Sequence, residues 1–260
     1  MSAPVQDMKI DLTQRLAMVT GSSGELGRVM ARTLGRCGAD VALMYHRNLD
    51  GAVALADEIQ KMGRRARAFE ADVTDAASIV AVRDAVRAWH GDADIIINNA
   101  VIQYAWRPVL EQPLDDYESQ FRSCVMHNVH MAKAFVPAMI ARGWGRVVAI
   151  STECAMQNQP SQSAYVGGKR GMDGVLRVLA KEVGQHGVTV NQVAPGWTVS
   201  NRDRVAGTES QPEYERGVPL RRRGTDQEVA NVVAFIASDL ASFVTGAYIP
   251  VCGGNVMPTI

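Results

Sequence analysis

Cysteine, aromatic residues and net charge are all in short supply in this chain, and each shortage removes a class of function. The four cysteines, Cys37, Cys124, Cys154 and Cys252, lie far apart with no CxxC pair. Neither a disulfide framework nor a zinc site is expected from that spacing, which suits reduced thiols in a cytoplasmic protein. Lys and Arg number 27 and Asp and Glu number 27, so no global field recruits nucleic acid or a membrane surface. No apolar run approaches the length of a membrane span. The stretch from Met1 to Gln14 carries Asp7, Lys9 and Asp11 and lacks the apolar core of a signal peptide. What remains is 260 residues that are 47% hydrophobic, enough to bury a large core and most simply one α/β domain over residues 1–260.

Short β-branched runs alternate with amphipathic stretches along the chain. Strands are predicted at Leu16–Val19, Val41–Tyr45, Ala66–Phe69, Ile95–Ile97, Val147–Thr152, Thr189–Val193 and Tyr248–Val251. Helices are predicted at about residues 25–37, 49–62, 76–90, 114–142, 163–186 and 225–238, the last opened by the capping box Thr225-Asp-Gln-Glu228. Seven strands alternating with six helices predict a doubly wound parallel sheet of Rossmann type, with helices on both faces.

Two stretches carry chemistry. In the first, Thr20-Gly21-Ser22-Ser23-Gly24-Glu25-Leu26-Gly27 joins the first strand to the first helix. Glycines there let the backbone turn and approach a pyrophosphate, while the helix offers unpaired N–H groups and the positive end of its dipole. In the second, a strand ending in Ser151-Thr152 leads to Tyr165 and Lys169, four apart on a helix and therefore on one face. A nearby ammonium favours the phenolate, so Lys169 is expected to pull the Tyr165 phenol down toward neutrality and make it a proton exchanger. A strand-end hydroxyl beside it would hydrogen-bond the oxygen of a carbonyl being reduced or an alcohol being oxidised.

Thr20-Gly21 with its spaced glycines, Asp72-Val73, Asn98-Asn99-Ala100, Tyr165-xxx-Lys169 and Pro195-Gly196 together resemble the classical short-chain dehydrogenase/reductase family, over about residues 12–254. The overall likeness is greatest to its 3-oxoacyl-carrier-protein reductases. The resemblance implies a Rossmann-type NAD(P) fold and hydride transfer at a carbonyl or hydroxyl. It implies dinucleotide contacts from Gly21, Ser23, Gly24 and Leu26, adenine contacts from Asp72 and Val73, and ribose contacts from Asn98 and Ala100. Tyr165 is then the acid/base and Lys169 the partner that also binds the nicotinamide ribose, with Pro195, Gly196, Thr198 and Ser200 bordering the nicotinamide. Residues of about 195–225 resemble the family's substrate lid.

Four positions depart from the family pattern. Glu25 stands where the loop usually has glycine and is expected to face outward, and Val101 replaces the last glycine of NNAG. Counting back thirteen residues from Tyr165 puts Thr152 at the catalytic serine, and Cys124 falls at the catalytic asparagine. Asn128, one turn on, is a candidate to replace that amide, the alternative being an ordinary polar helix residue. At the end of the second strand, Tyr45-His46-Arg47-Asn48 offers a guanidinium and no carboxylate. A 2′-phosphate is thus favoured over a free 2′-hydroxyl, and NADP(H) over NAD(H).

Gly167, Gly168, Gly171 and Gly174 load one helix with residues of poor propensity. Close approach of another helix to the face of Ala164, Gly168 and Gly171 is the expected compensation, and with the resemblance it implies a homo-oligomer, a tetramer. His127 and His130 have no further ligand at metal spacing, and Arg221-Arg222-Arg223 reads as a solvated or interface segment. Tyr104, Trp106, Met156, Gln157 and Trp197 are the candidate pocket residues. The function expected is an NADPH-dependent carbonyl reductase of the 3-oxoacyl type. A sugar or polyol dehydrogenase using NAD(P) is the alternative enzyme, and a silent dinucleotide-binding sensor or scaffold the alternative of another class.

Overall fold

Runs of residues that are apolar on both faces can only be strands of a sheet covered on both sides. In the computed structural model, which describes residues 9–258, such runs form β1 (Leu16–Thr20), β2 (Asp40–Tyr45), β3 (Ala66–Glu70), β4 (Ile95–Asn98), β5 (Gly145–Ile150), β6 (Val188–Pro195) and β7 (Tyr248–Val251). All pair parallel in one seven-stranded sheet, in the order β3-β2-β1-β4-β5-β6-β7. Alternation along each strand divides the interior in two. Ala17, Val19, Ile95 and Ile97 meet α1 (Glu25–Arg36), α2 (Leu49–Lys61) and α10 (Asp226–Ile236) on one face. Met18, Ile96, Val147 and Ala149 meet α3 (Ala76–Trp89), α5 (His127–Arg142) and α7 (Ser163–Val183) on the other.

The order reverses at β1, whose neighbours are β2 and β4. The crossovers on its two sides therefore leave in opposite directions and open a crevice beyond the carboxyl ends of β1 and β4. Every loop with a predicted chemical role leaves the sheet at that edge.

The structure corrects several boundaries. The helix predicted over 114–142 is α4 (Leu114–Gln120) followed by a π-helical stretch, Phe121–Met126, and then α5. The glycines of α7 accommodate that wider stretch: a β-carbon on Gly168 would lie 2.9 Å from the Gln120 carbonyl oxygen, and one on Gly171 2.9 Å from Val125 Cγ2. The close approach expected at the small-residue face is thus made within the chain. Residues 197–217, within the stretch that resembles a substrate lid and for which the sequence predicts no helix, contain α8 (Asn201–Ala206) and α9 (Pro212–Gly217). Each is short enough to escape a periodicity test and is started locally. Ser200 and Asp203 form a capping box, and Pro212 occupies the first turn. The short α6 (Cys154–Gln157) follows β5.

Candidate active site

The glycine loop is braced from beneath by residues that the motif itself does not highlight. Thr20 is fully buried, and its hydroxyl accepts the N–H groups of Asn99 at 2.8 Å and Ala100 at 3.0 Å. Asn99 donates its side-chain amide back to the Thr20 carbonyl at 3.0 Å, and Ser22 ties the loop to β2 through the Met44 carbonyl at 3.0 Å. Gly21 has φ +61°, in the left-handed region that glycine tolerates. Gly24 caps α1 without a side-chain hydrogen bond, leaving the first-turn amides to face the crevice. These residues fit a dinucleotide pyrophosphate: backbone donors, no bulky side chain in the turn, and the positive end of a twelve-residue helix.

Glu25 faces outward, its side chain 41% exposed. Its carboxylate accepts from Arg28 at 2.8 Å and from the Asn201 N–H at 2.9 Å, bridging the loop to the first turn of α8. The unpaired amide there and the adjacent guanidinium give the charge two partners that water would otherwise supply. Beyond β2, His46 and Arg47 are exposed, and both act electrostatically on the Asp72 carboxylate. Asn48 is engaged as the cap of α2, accepting the Gly51 N–H at 3.0 Å. Asp72 accepts from the Thr74 N–H at 2.8 Å, which shapes the turn after β3 that carries Val73.

The acid/base candidates meet at the ends of β4, β5 and β6. Tyr165 is half-buried and stacks on Trp106 with ring centroids 6.3 Å apart, while its backbone N–H donates to the Tyr104 hydroxyl at 2.7 Å. Burial, then the thiols of Cys154 and Cys124, push the Tyr165 phenol above its ordinary value, and the Thr152 hydroxyl pulls the other way. The expected lowering by Lys169 is therefore corrected. Lys169 is buried, its own pKa is lowered by that burial, and its ammonium donates to the Ile150 carbonyl at 2.6 Å, 5.8 Å from the centre of the Tyr165 ring. Thr152 is buried and accepts the Cys154 N–H at 3.2 Å.

Asn128 does not face the phenol. It is buried between Asn98, whose amide donates to it at 2.7 Å, and the Cys124 carbonyl, to which it donates at 2.7 Å. Its role in this arrangement is to position the end of β4 against the π-helical stretch. Of the two histidines on α5, His127 is pushed down to about 3 by burial and faces the Ser123 carbonyl, whereas His130 faces the Val73 carbonyl. Among the described residues no group of three His, Cys, Asp or Glu side chains is placed to hold a metal ion.

Beside Tyr165 opens a cavity of about 670 Å³, walled by Tyr104, Trp106, Gln157 and Trp197 as the sequence suggested, whereas Met156, also expected there, faces a separate small cavity with Lys169, Arg170 and Tyr248. Sequence reasoning passed over its base. Glu153 is only 3% exposed. It accepts from the Tyr214 hydroxyl at 2.8 Å and the Trp197 N–H at 3.2 Å through Oε1, and from the Asn255 amide at 3.0 Å through Oε2. Burial raises its pKa against those three donors. No spacing rule marks Glu153; the only signal was a carboxylate directly after the strand-end hydroxyls. Pro195 ends β6, Gly196 donates to the Val251 carbonyl at 3.0 Å, Thr198 donates to the Gly196 carbonyl at 3.0 Å, and Ser200 is held as the cap of α8. Arg221-Arg222-Arg223 reads as a solvated or interface segment, but Arg223 is buried within the chain. It donates to the carbonyls of Trp197 and Thr198 at 3.1 and 2.9 Å and to Asp203 at 3.1 Å, gathering the segment over the cavity.

A family model described as enoyl-(acyl carrier protein) reductase matches residues 21–255. The chain is 34% identical to the 3-oxoacyl-[acyl-carrier-protein] reductase FabG of Escherichia coli (strain K12), over 94% of this chain and 98% of that one. The chain belongs to the short-chain dehydrogenase/reductase family. The reductase of the same name from Staphylococcus aureus (strain Mu50 / ATCC 700699) is also 34% identical, over 93% of this chain and 98% of that one. Solved structures extend the likeness within the family. A blue fluorescent protein from a metagenomic library, in complex with NADPH, superposes with TM-score 0.87 at 32% identity, covering 95% of this chain and 100% of that one. A 7α-hydroxysteroid dehydrogenase complexed with NADH and 7-oxo glycochenodeoxycholic acid superposes with TM-score 0.87 at 28% identity, covering 98% and 99%. The chain is thus an oxidoreductase of the CH–OH/C=O type that uses a nicotinamide dinucleotide. Among the described residues no helix is long and apolar enough to cross a membrane.

The segment over the cavity is anchored by a titrating group. Hydrogen bonds from the Ser200 N–H and hydroxyl, and then from Arg223, lower the Asp203 carboxyl to about 2 from an ordinary 3.8. A lowered folded-state pKa means that its stabilisation is present above the unfolded value and is lost as the pH falls toward 2. Hydrogen exchange, corrected for intrinsic rates, is expected to show the amides of 200–208 losing protection between pH 4 and 2.5 ahead of those in β4 and β5. Asp203→Asn should show that loss already at pH 5. Simultaneous loss in the strands and in this segment would mean that Asp203 is not the anchor.

Proposed function

We propose that this short-chain dehydrogenase/reductase transfers hydride between NADP(H) and a carbonyl or secondary alcohol, with Tyr165 exchanging the proton. The observation that carries this reading is the meeting of Tyr165 and Thr152 at one cavity, with the buried Lys169 ammonium 5.8 Å from the centre of the Tyr165 ring, at the sheet edge that also carries the glycine loop. The dinucleotide supplies or takes the hydride when bound. The Thr152 hydroxyl holds the substrate oxygen, the Tyr165 phenol gives it a proton in reduction, and Lys169 keeps a positive charge beneath them. Asn128 positions the end of β4 and acts on no reacting atom. The chain is read as a single Rossmann-type domain with residues 195–225 as the lid. Reduction of a 3-oxoacyl thioester, the activity that the bacterial relatives are named for, is the reference reaction for an assay. We infer a homo-oligomer, with the tetramer as the working state by family resemblance; the half-exposed Phe121, which lines one surface groove with Ala164 and Gly167 of α7, supports an apolar contact there.

NADP(H) is preferred because Arg47 is exposed at the end of β2 with no carboxylate at 46–48 to hold a 2′-hydroxyl. Fluorescence titration with NADPH and NADH tests this directly. Arg47→Ala should weaken NADPH by about 10- to 100-fold, the loss of a charge-assisted contact of about 1.5–3 kcal/mol, and leave NADH near its starting affinity. Equal weakening of both cofactors, or of neither, would remove Arg47 from the 2′-phosphate site. Binding of neither cofactor to the unmodified protein would overturn the dinucleotide reading, whereas binding of a cofactor with no turnover of any ketone would favour the silent sensor or scaffold.

A further inference from the structure

We propose that Glu153, with Gln162 in the wall of the same cavity, selects a substrate bearing hydroxyl groups next to the reacting carbon, a polyhydroxylated ketone or the corresponding polyol, over an acyl chain. This rests on the carbonyl-reductase reading of the same cavity and names its substrate class.

The argument is one of unmet acceptors. A carboxylate has about four acceptor sites. Tyr214 and Trp197 fill those of Oε1, whereas Oε2 has Asn255 alone. That oxygen lies close under the turn after β6, since a β-carbon on Gly196 would be 3.0 Å from it. Gln162 lines the same cavity, is 9% exposed, and has a side-chain carbonyl oxygen with no hydrogen-bond partner among the described residues. Two acceptors at the cavity wall call for a ligand that donates twice. The methylenes and thioester of an acyl chain donate nothing. Seated there they would leave each acceptor desolvated, at a cost of about 1–3 kcal/mol per group. Hydroxyls on the carbons flanking a ketone donate to both.

The type of donor follows from what already surrounds Glu153. Tyr214, Trp197 and Asn255 present neutral hydroxyl, amide and backbone groups, so this carboxylate is built into a network of neutral donors. The remaining polar lining, Gln103, Gln157 and Gln159 included, consists largely of amides, which suit hydroxyls in either direction. The carboxylate also disfavours keto acids by like charge. Trp106 and Trp197 supply the apolar walls that hold the carbon skeleton. A site arranged around substrate hydroxyls rejects analogues lacking them far more strongly than an apolar site rejects a missing methylene.

The test compares kcat/KM with NADPH for two ketones of equal carbon count, 1,3,4-trihydroxy-2-butanone and 2-butanone. Aminoacetone and an acetoacetyl thioester of N-acetylcysteamine serve as further probes. The trihydroxy ketone is expected to exceed 2-butanone by about 100-fold or more, and Glu153→Gln to shrink that ratio at least tenfold. A merely structural Glu153 would lower both substrates in proportion and leave the ratio where it was. Gln162→Met, which keeps the length of the side chain and removes the second acceptor, is expected to shrink the same ratio and serves if Glu153→Gln does not fold. Preference for the thioester or for aminoacetone, or a ratio that neither variant moves, overturns the proposal and leaves carbonyl reduction standing. Turnover of none of the four probes by a protein that binds NADPH overturns both.

Discussion

Tyr165→Phe is expected to lower kcat by about 10²–10⁴-fold while the protein still binds NADPH, because the substitution removes one hydroxyl and keeps the ring that stacks on Trp106. The Thr152 hydroxyl remains to hold the substrate oxygen, but the group that gives the proton is gone. Single-turnover mixing of the NADPH complex with ketone reads the chemical step directly, and turnover within threefold of the unmodified enzyme would remove Tyr165 from the reaction. The direction of its titration adds a pH signature. Burial pushes the phenol up, so it stays protonated through neutral pH, the form that gives a proton during reduction. Reduction should therefore be flat across neutral pH and fall only in alkali, whereas oxidation of the alcohol, which needs the phenolate, should rise with pH over the same range.

Gly27→Ala is expected to disable the dinucleotide site and to destabilise the fold together. A β-carbon there would sit 2.2 Å from the Gly21 carbonyl oxygen and 2.9 Å from the Asn99 amide nitrogen. The first of these atoms is backbone, held in a loop that Thr20 and Asn99 pin on two sides, so it has nowhere to go without dismantling the turn. Overpacking of this kind costs about 1–3 kcal/mol, or roughly 3–10 °C in Tm for a chain of this size, and it moves the amides that face the pyrophosphate. NADPH affinity should fall by more than tenfold. Gly174→Ala is the control: it lies in α7 with nothing within 4 Å of its added carbon, and it should hold or raise Tm by reducing the freedom of the unfolded chain. An unchanged Tm and affinity in Gly27→Ala would mean that the loop is more pliant than its bracing implies.

The four substitutions against the family pattern have unequal consequences in three dimensions. Glu25 is absorbed by Arg28 and by the first amide of α8, which links the dinucleotide loop to the segment over the cavity. Val101 packs against the α3/α5/α7 core as a side chain of ordinary size. Thr152 keeps a hydroxyl at the phenol, and Cys124 lies buried with its thiol 3.9 Å from the Gln120 side chain while Asn128 holds its carbonyl. None of them removes the phenol, the ammonium or the hydroxyl from the site.

Residue order alone determined the sheet, the two faces of helices and the family, because alternation along Ala17-Met18-Val19 and Ile95-Ile96-Ile97 sorts side chains to opposite cores whatever else the chain does. It also determined which motifs reach the crevice, since glycine loop, strand-end hydroxyls and the Tyr165–Lys169 pair are defined by separations within one strand, turn or helix. Local spacing carries no information about contacts between segments far apart in the chain, and those were decided by tertiary structure. The direction of Lys169 toward Ile150 rather than the phenol, the commitment of Asn128 to Asn98, and the burial of Arg223 under Trp197 all depend on elements 19 to 30 residues away. Glu153 is the clearest case. Its partners Tyr214 and Asn255 lie 61 and 102 residues along the chain, and only their convergence turns a carboxylate after a strand into the base of a substrate cavity.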